Sequence, residues 1–265
     1  MIDIKKAIEE FTNYTHSFDM SHYKIKYKHD HSLSTMKKAK QIAKSLSLSE
    51  EDIAIAELVG LLHDLGRFYQ IEKYQAWVDA ETESHGDLGI EYLFEQGNIK
   101  RYIETRKYDD IIKAAIENHN VLTISDDLKE RELLHAKIIR DADKLDIFYQ
   151  RSINATSDFN NECHRHQYIR DEIFEEALAD KPLVIKPGMN NVELSIALYC
   201  FIPDLYFPFT RRETLEKDYL KQILEVSKPF INERVYEQTK ILVDKANDKL
   251  RELIKMDEKT HKGEY

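Results

Sequence analysis

The chain has 265 residues, of which 42% are hydrophobic and 33% charged, and a formal net charge of −10, a size that fits one large domain or a core domain with an appended lobe. The negative charge argues against an extended basic nucleic-acid surface, and no apolar run approaches the roughly 20 residues that a membrane-spanning helix needs. Because the N-terminus lacks the pattern of a signal peptide and only two cysteines, Cys163 and Cys200, are present, we expect a cytoplasmic protein without a disulfide framework.

The distribution of proline predicts the fold class. All five prolines lie after residue 181, and because proline is the strongest helix breaker, we expect a mostly helical N-terminal two-thirds. The seven glycines form neither a phosphate-binding loop nor a dinucleotide-binding fingerprint. We therefore predict an all-α protein, with a helical core at residues 1–150 and a mostly helical C-terminal lobe at residues 151–265.

Apolar residues at helical spacing predict the individual helices. In chain order these are 3–16, a helix from about His31, 49–63 with Ser49 as its N-cap, 86–96, 112–119, 138–149, 191–202, 212–226 and 230–255. Residues 65–84, between two helical segments, are expected to form a long connection of the kind that often covers an active site.

An adjacent histidine and aspartate, His63 and Asp64, follow the strongly apolar segment 57–62. Burying such a pair costs desolvation free energy unless another group compensates it. A divalent cation would do so, because imidazole and carboxylate groups are natural nitrogen and oxygen ligands. The alternative is a hydrogen bond between the two side chains that caps the helix, and these two residues alone do not decide between the two interpretations.

Further inward polar residues favour the metal interpretation. His119 continues the apolar stripe of Ile112 and Ile116, so it is expected to face the core. Segment 138–146 has several carboxylates within an otherwise apolar helix, and Asp143 and Asp146 share one face of it. A helical core seldom contains inward carboxylates without a partner, so a bound cation is the simpler interpretation.

Five segments together resemble the motifs of the HD-domain superfamily of metal-dependent phosphohydrolases, and they follow the superfamily's order over residues 28–146. They are Lys28-His-Asp-His31-Ser-Leu, Leu61-Leu-His-Asp-Leu-Gly-Arg67, Ser84-His-Gly-Asp-Leu-Gly89, Ile116-Glu-Asn-His119-Asn and Arg140-Asp-Ala-Asp143-Lys-Leu-Asp. The run that begins at His63 is similar to a bacterial branch of predicted hydrolases. Residues 151–265 carry none of these motifs.

The resemblance implies a helical bundle that holds two divalent ions, either Fe, Mn or Mg. The ligands implied for one ion are His31, His63, Asp64 and Asp143. His85 and His119 correspond to two further histidines of superfamily members with two ions, and Asp64 would then bridge both ions as the catalytic carboxylate.

Basic residues close to these ligands in the sequence are candidates for binding substrate. Arg67 lies three residues after Asp64 and Lys144 is adjacent to Asp143, so either can contact a substrate phosphate. Pairing with a carboxylate is the alternative for Arg67. Two other histidines, His29 and His135, are expected at the surface and outside the site.

The resemblance implies hydrolysis of a phosphate ester or phosphoanhydride by a metal-activated water, with a nucleotide or another small phosphorylated metabolite as the substrate. Two alternatives remain open at this point. The same six ligands resemble those of the mixed-valent di-iron oxygenases of the superfamily, and a regulatory module could bind a nucleotide without turnover. We expect neither a membrane partner nor an extended nucleic-acid partner, and the sequence does not determine the oligomeric state.

Overall fold

The structure is a computed structural model that describes residues 2–75, 79, 82–153 and 164–262. Within these residues the regular structure is helical and no residue lies in a β-strand, so the all-α prediction is confirmed. None of the described helices is long and apolar enough to cross a membrane. The chain divides into two compact units, Met1–Asp146 and Ile147–Tyr265, and the division falls inside one long helix.

The helices of the N-terminal unit follow the chain order. They are α1 (Ile4–Thr15), α2 (Tyr23–Ser45), α3 (Glu50–Leu62), α4 (Leu65–Tyr74), α5 (His85–Ile90), a π-helical turn at Glu91–Glu95, α6 (Ile99–Tyr102), α7 (Asp109–Glu117) and α8 (Glu130–Ile153), which continues into the second unit.

The last two turns of helix α3 are enclosed on all sides, because every residue from 55 to 62 is buried. A helix that is apolar all round is covered by other elements instead of facing solvent on one side. Its start matches the prediction, since Ser49 Oγ accepts a hydrogen bond of 3.1 Å from the backbone N of Asp52. Because α3 is enclosed, His63 and Asp64, which follow it directly, are only 0% and 1% exposed.

Two glycines let helices approach closely beside these residues. A Cβ atom at Gly60 would lie 2.7 Å from the Cα of Met36, so α3 can approach α2 this closely only with glycine there. A Cβ atom at Gly66 would lie 1.8 Å from the carbonyl oxygen of His85. The second approach packs α4 against the start of α5 and so brings His85 close to Asp64.

The predicted long connection at 65–84 is wrong for its first half. Residues Leu65–Tyr74 form α4, which ends at Gln75 with a left-handed φ of 52°. Leu65 and Phe68, three residues apart, are both fully buried, and packing of this face favours a helix over a loop. Positions 76–78, 80 and 81 of the predicted connection lie outside the described residues. Helix α2 also begins earlier than predicted, at Tyr23.

The second unit is helical but more interrupted than predicted. Its helices are α9 (Asp171–Ala177), α10 (Asn191–Ile196), α11 (Pro208–Glu216), α12 (Tyr219–Ser227) and α13 (Glu233–Lys262), with 3-10 segments at His164–His166, Ala197–Asp204 and Lys228–Phe230. The helix predicted at 212–226 is broken at Asp218, whose φ of 51° is left-handed. Residues 154–163, which include Cys163, lie outside the described residues.

Candidate metal centre

The structure brings together all six residues that the sequence indicates as metal ligands, and all lie in the N-terminal unit. His31 is in α2, His63 and Asp64 join α3 to α4, His85 begins α5, His119 follows α7, and Asp143 is in α8. Residues far apart in the chain therefore meet at one point of the fold.

The two carboxylate oxygens of Asp64 face different pairs of histidines. Oδ2 lies 3.4 Å from Nε2 of His31 and 3.3 Å from Nε2 of His63. Oδ1 lies 3.4 Å from Nε2 of His85 and 4.0 Å from Nε2 of His119. A carboxylate with one oxygen toward each pair has the arrangement of a ligand that two cations share.

These contacts define two candidate metal positions. The first position comprises His31, His63 and Asp64, and the second comprises Asp64, His85 and His119. Within each group the potential ligand atoms all lie within 4.8 Å of one another. Asp143 lies beside the first position, because its Oδ1 is 3.0 Å from Nε2 of His31 and 3.8 Å from Nε2 of His63.

The chemistry of these atoms fits a divalent cation. The Nε2 atom of His63 is buried and has no hydrogen-bond partner among the described residues, which is costly unless another group compensates it. Nε2 of His85 lies 2.9 Å from Nε2 of His119. If both imidazoles are neutral and carry their proton on Nδ1, the lone pairs of the two Nε2 atoms face each other and repel. A cation bound between the two Nε2 atoms removes this repulsion.

Each of the four histidines has an oxygen acceptor for its Nδ1 atom. The distances are 2.6 Å from His31 to Asp146 Oδ2, 2.9 Å from His63 to the Gly60 carbonyl, 2.7 Å from His85 to Asp79 Oδ2, and 2.6 Å from His119 to the Ile116 carbonyl. Carbonyl and carboxylate oxygens only accept, so each Nδ1 carries the proton and donates it. Nε2 is thereby directed toward Asp64, as in a histidine that binds metal.

Charges around Asp64 keep it ionised. Burial opposes ionisation of this carboxyl, but Lys28, His63 and His85 outweigh burial and hold its pKa well below the usual range. Lys28 makes the most direct contribution, because its Nζ forms an ion pair with Asp64 Oδ2. The first position therefore contains a carboxylate that is ionised at neutral pH.

The histidines of the two positions differ in their affinity for protons. Burial and Lys28 act to lower the pKa of His31, but the carboxylates of Asp143 and Asp146 outweigh them and raise it to about 9. Burial, together with His85 and His63, lowers the pKa of His119 to about 3. Without a metal ion, the first position thus holds a proton at neutral pH and the histidine His119 of the second position is neutral.

The two candidate substrate-binding residues have different surroundings. Arg67 Nη1 pairs with Asp79 Oδ1 and lies 3.2 Å from Gln70 Oε1. This contact corresponds to the alternative that the sequence left open for Arg67, a pairing with a carboxylate of segment 70–84. Lys144, adjacent to Asp143 in α8, is 7% exposed.

Two histidines that were expected at the surface are buried instead. His29 is 8% exposed, and its Nδ1 lies 2.7 Å from Thr15 Oγ1. His135 is 1% exposed, and its Nε2 lies 3.1 Å from Asp52 Oδ1. Both predictions of exposure are therefore wrong, because each ring has a polar partner in the interior; these partners lie outside the two metal positions.

Sequence reasoning did not identify three residues that contact the ligands. Lys28 lies one helical turn before His31, a spacing that places both on one face of a helix and was a usable signal. For Asp146 the sequence indicates only that it shares a helix face with Asp143. Asp79 lies in a segment without periodicity, so no sequence signal connected it with His85.

Comparison with protein families agrees with this geometry. Residues 29–147 match the family model of the HD domain, and this range contains all six candidate ligands. Neither the curated proteins nor the solved structures contain a significant match to the chain. The resemblance found in the sequence motifs is thus confirmed for the N-terminal unit.

Proposed function

We propose that this chain, which carries an HD domain and so belongs to the HD-domain superfamily of metal-dependent hydrolases, hydrolyses a phosphate ester or phosphoanhydride. A nucleotide or another small phosphorylated metabolite is the proposed substrate. The observation that carries the proposal is the position of Asp64, whose two oxygens face His31 and His63 on one side and His85 and His119 on the other.

We propose that the first position, with Asp143 as an additional ligand, and the second position each hold one divalent ion. Ions bound there would supply Lewis acidity toward a phosphoryl group and an activated water as the nucleophile. The four histidines would act as ligands, because their Nδ1 protons are held by oxygen acceptors. The ionised Asp64 would join the two positions without being consumed in the reaction.

Local positive charge would be needed to bind a phosphorylated substrate. The net charge of −10 repels anions at long range, so attraction must come from groups at the site itself. Besides the ions, we propose Lys28 and Lys144 for this role, whereas Arg67, the third candidate, is paired with Asp79. The side chain of Lys28 is 19% exposed, which leaves part of it accessible to a ligand.

A phosphate-release assay tests the proposal. The purified chain would be incubated with Mn²⁺ and a panel of nucleoside mono-, di- and triphosphates and sugar phosphates. We expect at least one compound to release phosphate, and Asp64→Asn to abolish the release because it removes the shared charge. Asp30→Asn is the matched control, since Asp30 is an exposed carboxylate that pairs with Lys26 outside the site.

Two other outcomes would contradict the proposal and point to the alternatives. Substrate-dependent oxygen uptake by anaerobically prepared ferrous protein, without phosphate release, would assign the chain to the oxygenases. Binding of a nucleotide from the panel without any turnover would assign it to regulatory modules.

A further inference from the structure

Each metal position contains one histidine that is oriented by its own helix. Nδ1 of His63 donates to the carbonyl of Gly60 at 2.9 Å, and Nδ1 of His119 donates to the carbonyl of Ile116 at 2.6 Å. In both cases the acceptor lies three residues earlier in the chain. These two rings are therefore oriented by backbone carbonyls of the same chain segment.

Each metal position also contains one histidine that is oriented by a carboxylate from another element. Nδ1 of His31 donates to Oδ2 of Asp146 at 2.6 Å, and Nδ1 of His85 donates to Oδ2 of Asp79 at 2.7 Å. A carboxylate acceptor fixes the ring and raises the basicity of the opposite nitrogen, which strengthens its bond to a metal. Each position thus has one histidine oriented by a backbone carbonyl and one oriented by a carboxylate, which is Asp146 in the first position and Asp79 in the second.

The carboxylate of the first position is held deep in the N-terminal unit. The side chain of Asp146 is fully buried, and its Oδ1 accepts hydrogen bonds of 2.5 Å from Ser34 Oγ and 2.8 Å from Lys38 Nζ. Both donors lie on α2, the helix that carries His31. The carboxylate therefore keeps its charge and its place next to His31.

The carboxylate of the second position is held by different residues. Asp79 Oδ1 pairs with Arg67 Nη1 and accepts a hydrogen bond of 3.2 Å from Gln70 Nε2. Both donors lie on α4, and Gln70 is fully buried. The Asp79 side chain is 34% exposed, so substitution there disturbs little packing. Its partners among the described residues do not include a ligand of the first position.

We propose that Asp146 and Asp79 are positioning residues that set the metal affinity of the first and the second position independently of each other. The inference rests on the proposed function in that it takes both positions to hold ions. Its physical basis is that each carboxylate contacts a single ligand histidine and is held by a separate set of donors. Arg67 then acts on the second position through Asp79.

Calorimetric titration with Mn²⁺ in two backgrounds tests the proposal. In His85→Ala, which impairs the second position, we expect Asp146→Asn to weaken the remaining ion about 10–100-fold and Asp79→Asn to change it less than about 2-fold. In His63→Ala, which impairs the first position, we expect the reverse order. A general loss of structure would weaken the ion in both backgrounds, so the crossed pattern is specific to positioning.

The outcomes separate this inference from the proposed function. Wild-type protein that binds fewer than two Mn²⁺ ions would contradict the dinuclear site itself. Wild-type protein that binds two ions, with Asp79→Asn weakening the ion equally in both backgrounds, would overturn only the inference. If the buried Asp146→Asn variant fails to fold, Asp79→Asn in the two backgrounds still decides, because it is predicted to weaken the ion in His63→Ala and to spare it in His85→Ala.

Discussion

Lys28 Nζ forms an ion pair with Oδ2 of Asp64, the same oxygen that faces His31 and His63. The lysine thus compensates a carboxylate that is 1% exposed and would otherwise be buried with too little positive charge around it. A cation in the first position would provide the same compensation. Lys28 and the first ion are therefore expected to compete for Asp64.

We expect Lys28→Met to destabilise the metal-free protein by about 1–3 kcal/mol, because it leaves a buried charge without its closest partner. The same variant should bind Mn²⁺ at least as tightly as the wild type, since nothing has to be displaced from Asp64. Melting temperatures with EDTA and with Mn²⁺ measure both effects. If Lys28→Met lowers Tm relative to the wild type by the same amount with EDTA and with Mn²⁺, Lys28 and the ion do not share Asp64. The control is Lys26→Met, which replaces an exposed lysine.

The number of ions that a variant binds should depend on whether the substituted ligand serves one position or, like Asp64, both. We expect about two Mn²⁺ ions per wild-type chain, none tightly bound in Asp64→Ala, and one in His85→Ala, because His85 serves the second position only. Elemental analysis after saturation and desalting counts the ions. His166→Ala, an exposed histidine of the second unit, should keep both; loss of both ions from His85→Ala as well would refute the assignment of separate positions.

Arg67→Ala distinguishes the two roles considered for this residue. Since Arg67 pairs with Asp79, which holds His85, we expect weaker binding of the second ion, by about 10-fold or less. Saturating Mn²⁺ should then restore most of the activity. If Arg67 instead contacts substrate phosphate, KM should rise roughly 10–150-fold with metal content unchanged. Measuring KM and bound Mn²⁺ on the same preparation decides, and Arg67→Lys should recover only part of either loss.

The close approach of α4 and α5 is expected to be required for the second position. A Cβ atom in Gly66→Ala would lie 1.8 Å from the carbonyl oxygen of His85, so α5 has to move and carry His85 away from Asp64. We expect loss of the second ion and destabilisation by about 1–3 kcal/mol. In the control Gly89→Ala the nearest atoms lie at 3.5 Å, an ordinary contact; retention of two ions by Gly66→Ala would contradict this account.

The loss of folding stability at acidic pH should depend on Asp52. Burial opposes ionisation of this carboxyl, but hydrogen bonds from His135, Ser49 and Arg131 outweigh burial and lower its pKa from 3.8 to about 2. A lowered pKa in the folded state stabilises the protein above pH 3.8, and this contribution is lost as the pH falls through about 2.

We therefore expect Asp52→Asn to lower Tm at pH 7 and the difference from the wild type to shrink between pH 4 and pH 2. Thermal unfolding followed by circular dichroism measures this difference. A Tm difference that stays constant over this range would show that the charge of Asp52 is not the stabilising feature. Asp30→Asn, which removes an exposed carboxylate, should change Tm little at any pH in the range.

Much of the helical pattern can be derived from the sequence, because helical periodicity is a local property. The spacing of Ile112, Ile116 and His119 predicts one helix face, and the buried pair of Ile112 and Ile116 agrees with it. The start of α3 at Ser49 follows from a capping contact between residues three positions apart. Helix α4 could not be predicted in this way, because Leu65 and Phe68 are held by packing against other helices.

The identity of the candidate ligands also comes from the sequence, since a motif order such as that from His31 to Asp143 is visible without coordinates. The surroundings of other polar residues are not. His29 and His135 look like surface residues in the sequence but are buried, because Thr15 and Asp52 approach them from other helices. A polar group can be buried when the fold brings a polar partner from a distant part of the chain next to it, and a local sequence pattern does not predict this.

Only the tertiary structure decided how the candidate centre is arranged. The sequence determined that His63 and Asp64 end a buried helix, but not that the two oxygens of Asp64 would face different histidine pairs. It placed His85 near the start of a helix, but not beside Asp79. These relationships depend on how closely the helices approach one another. Glycines such as Gly66 permit the close approach, and the packing of the whole unit maintains it. Side-chain spacing is set along one helix, whereas contacts between side-chain tips are set by the positions of several helices at once.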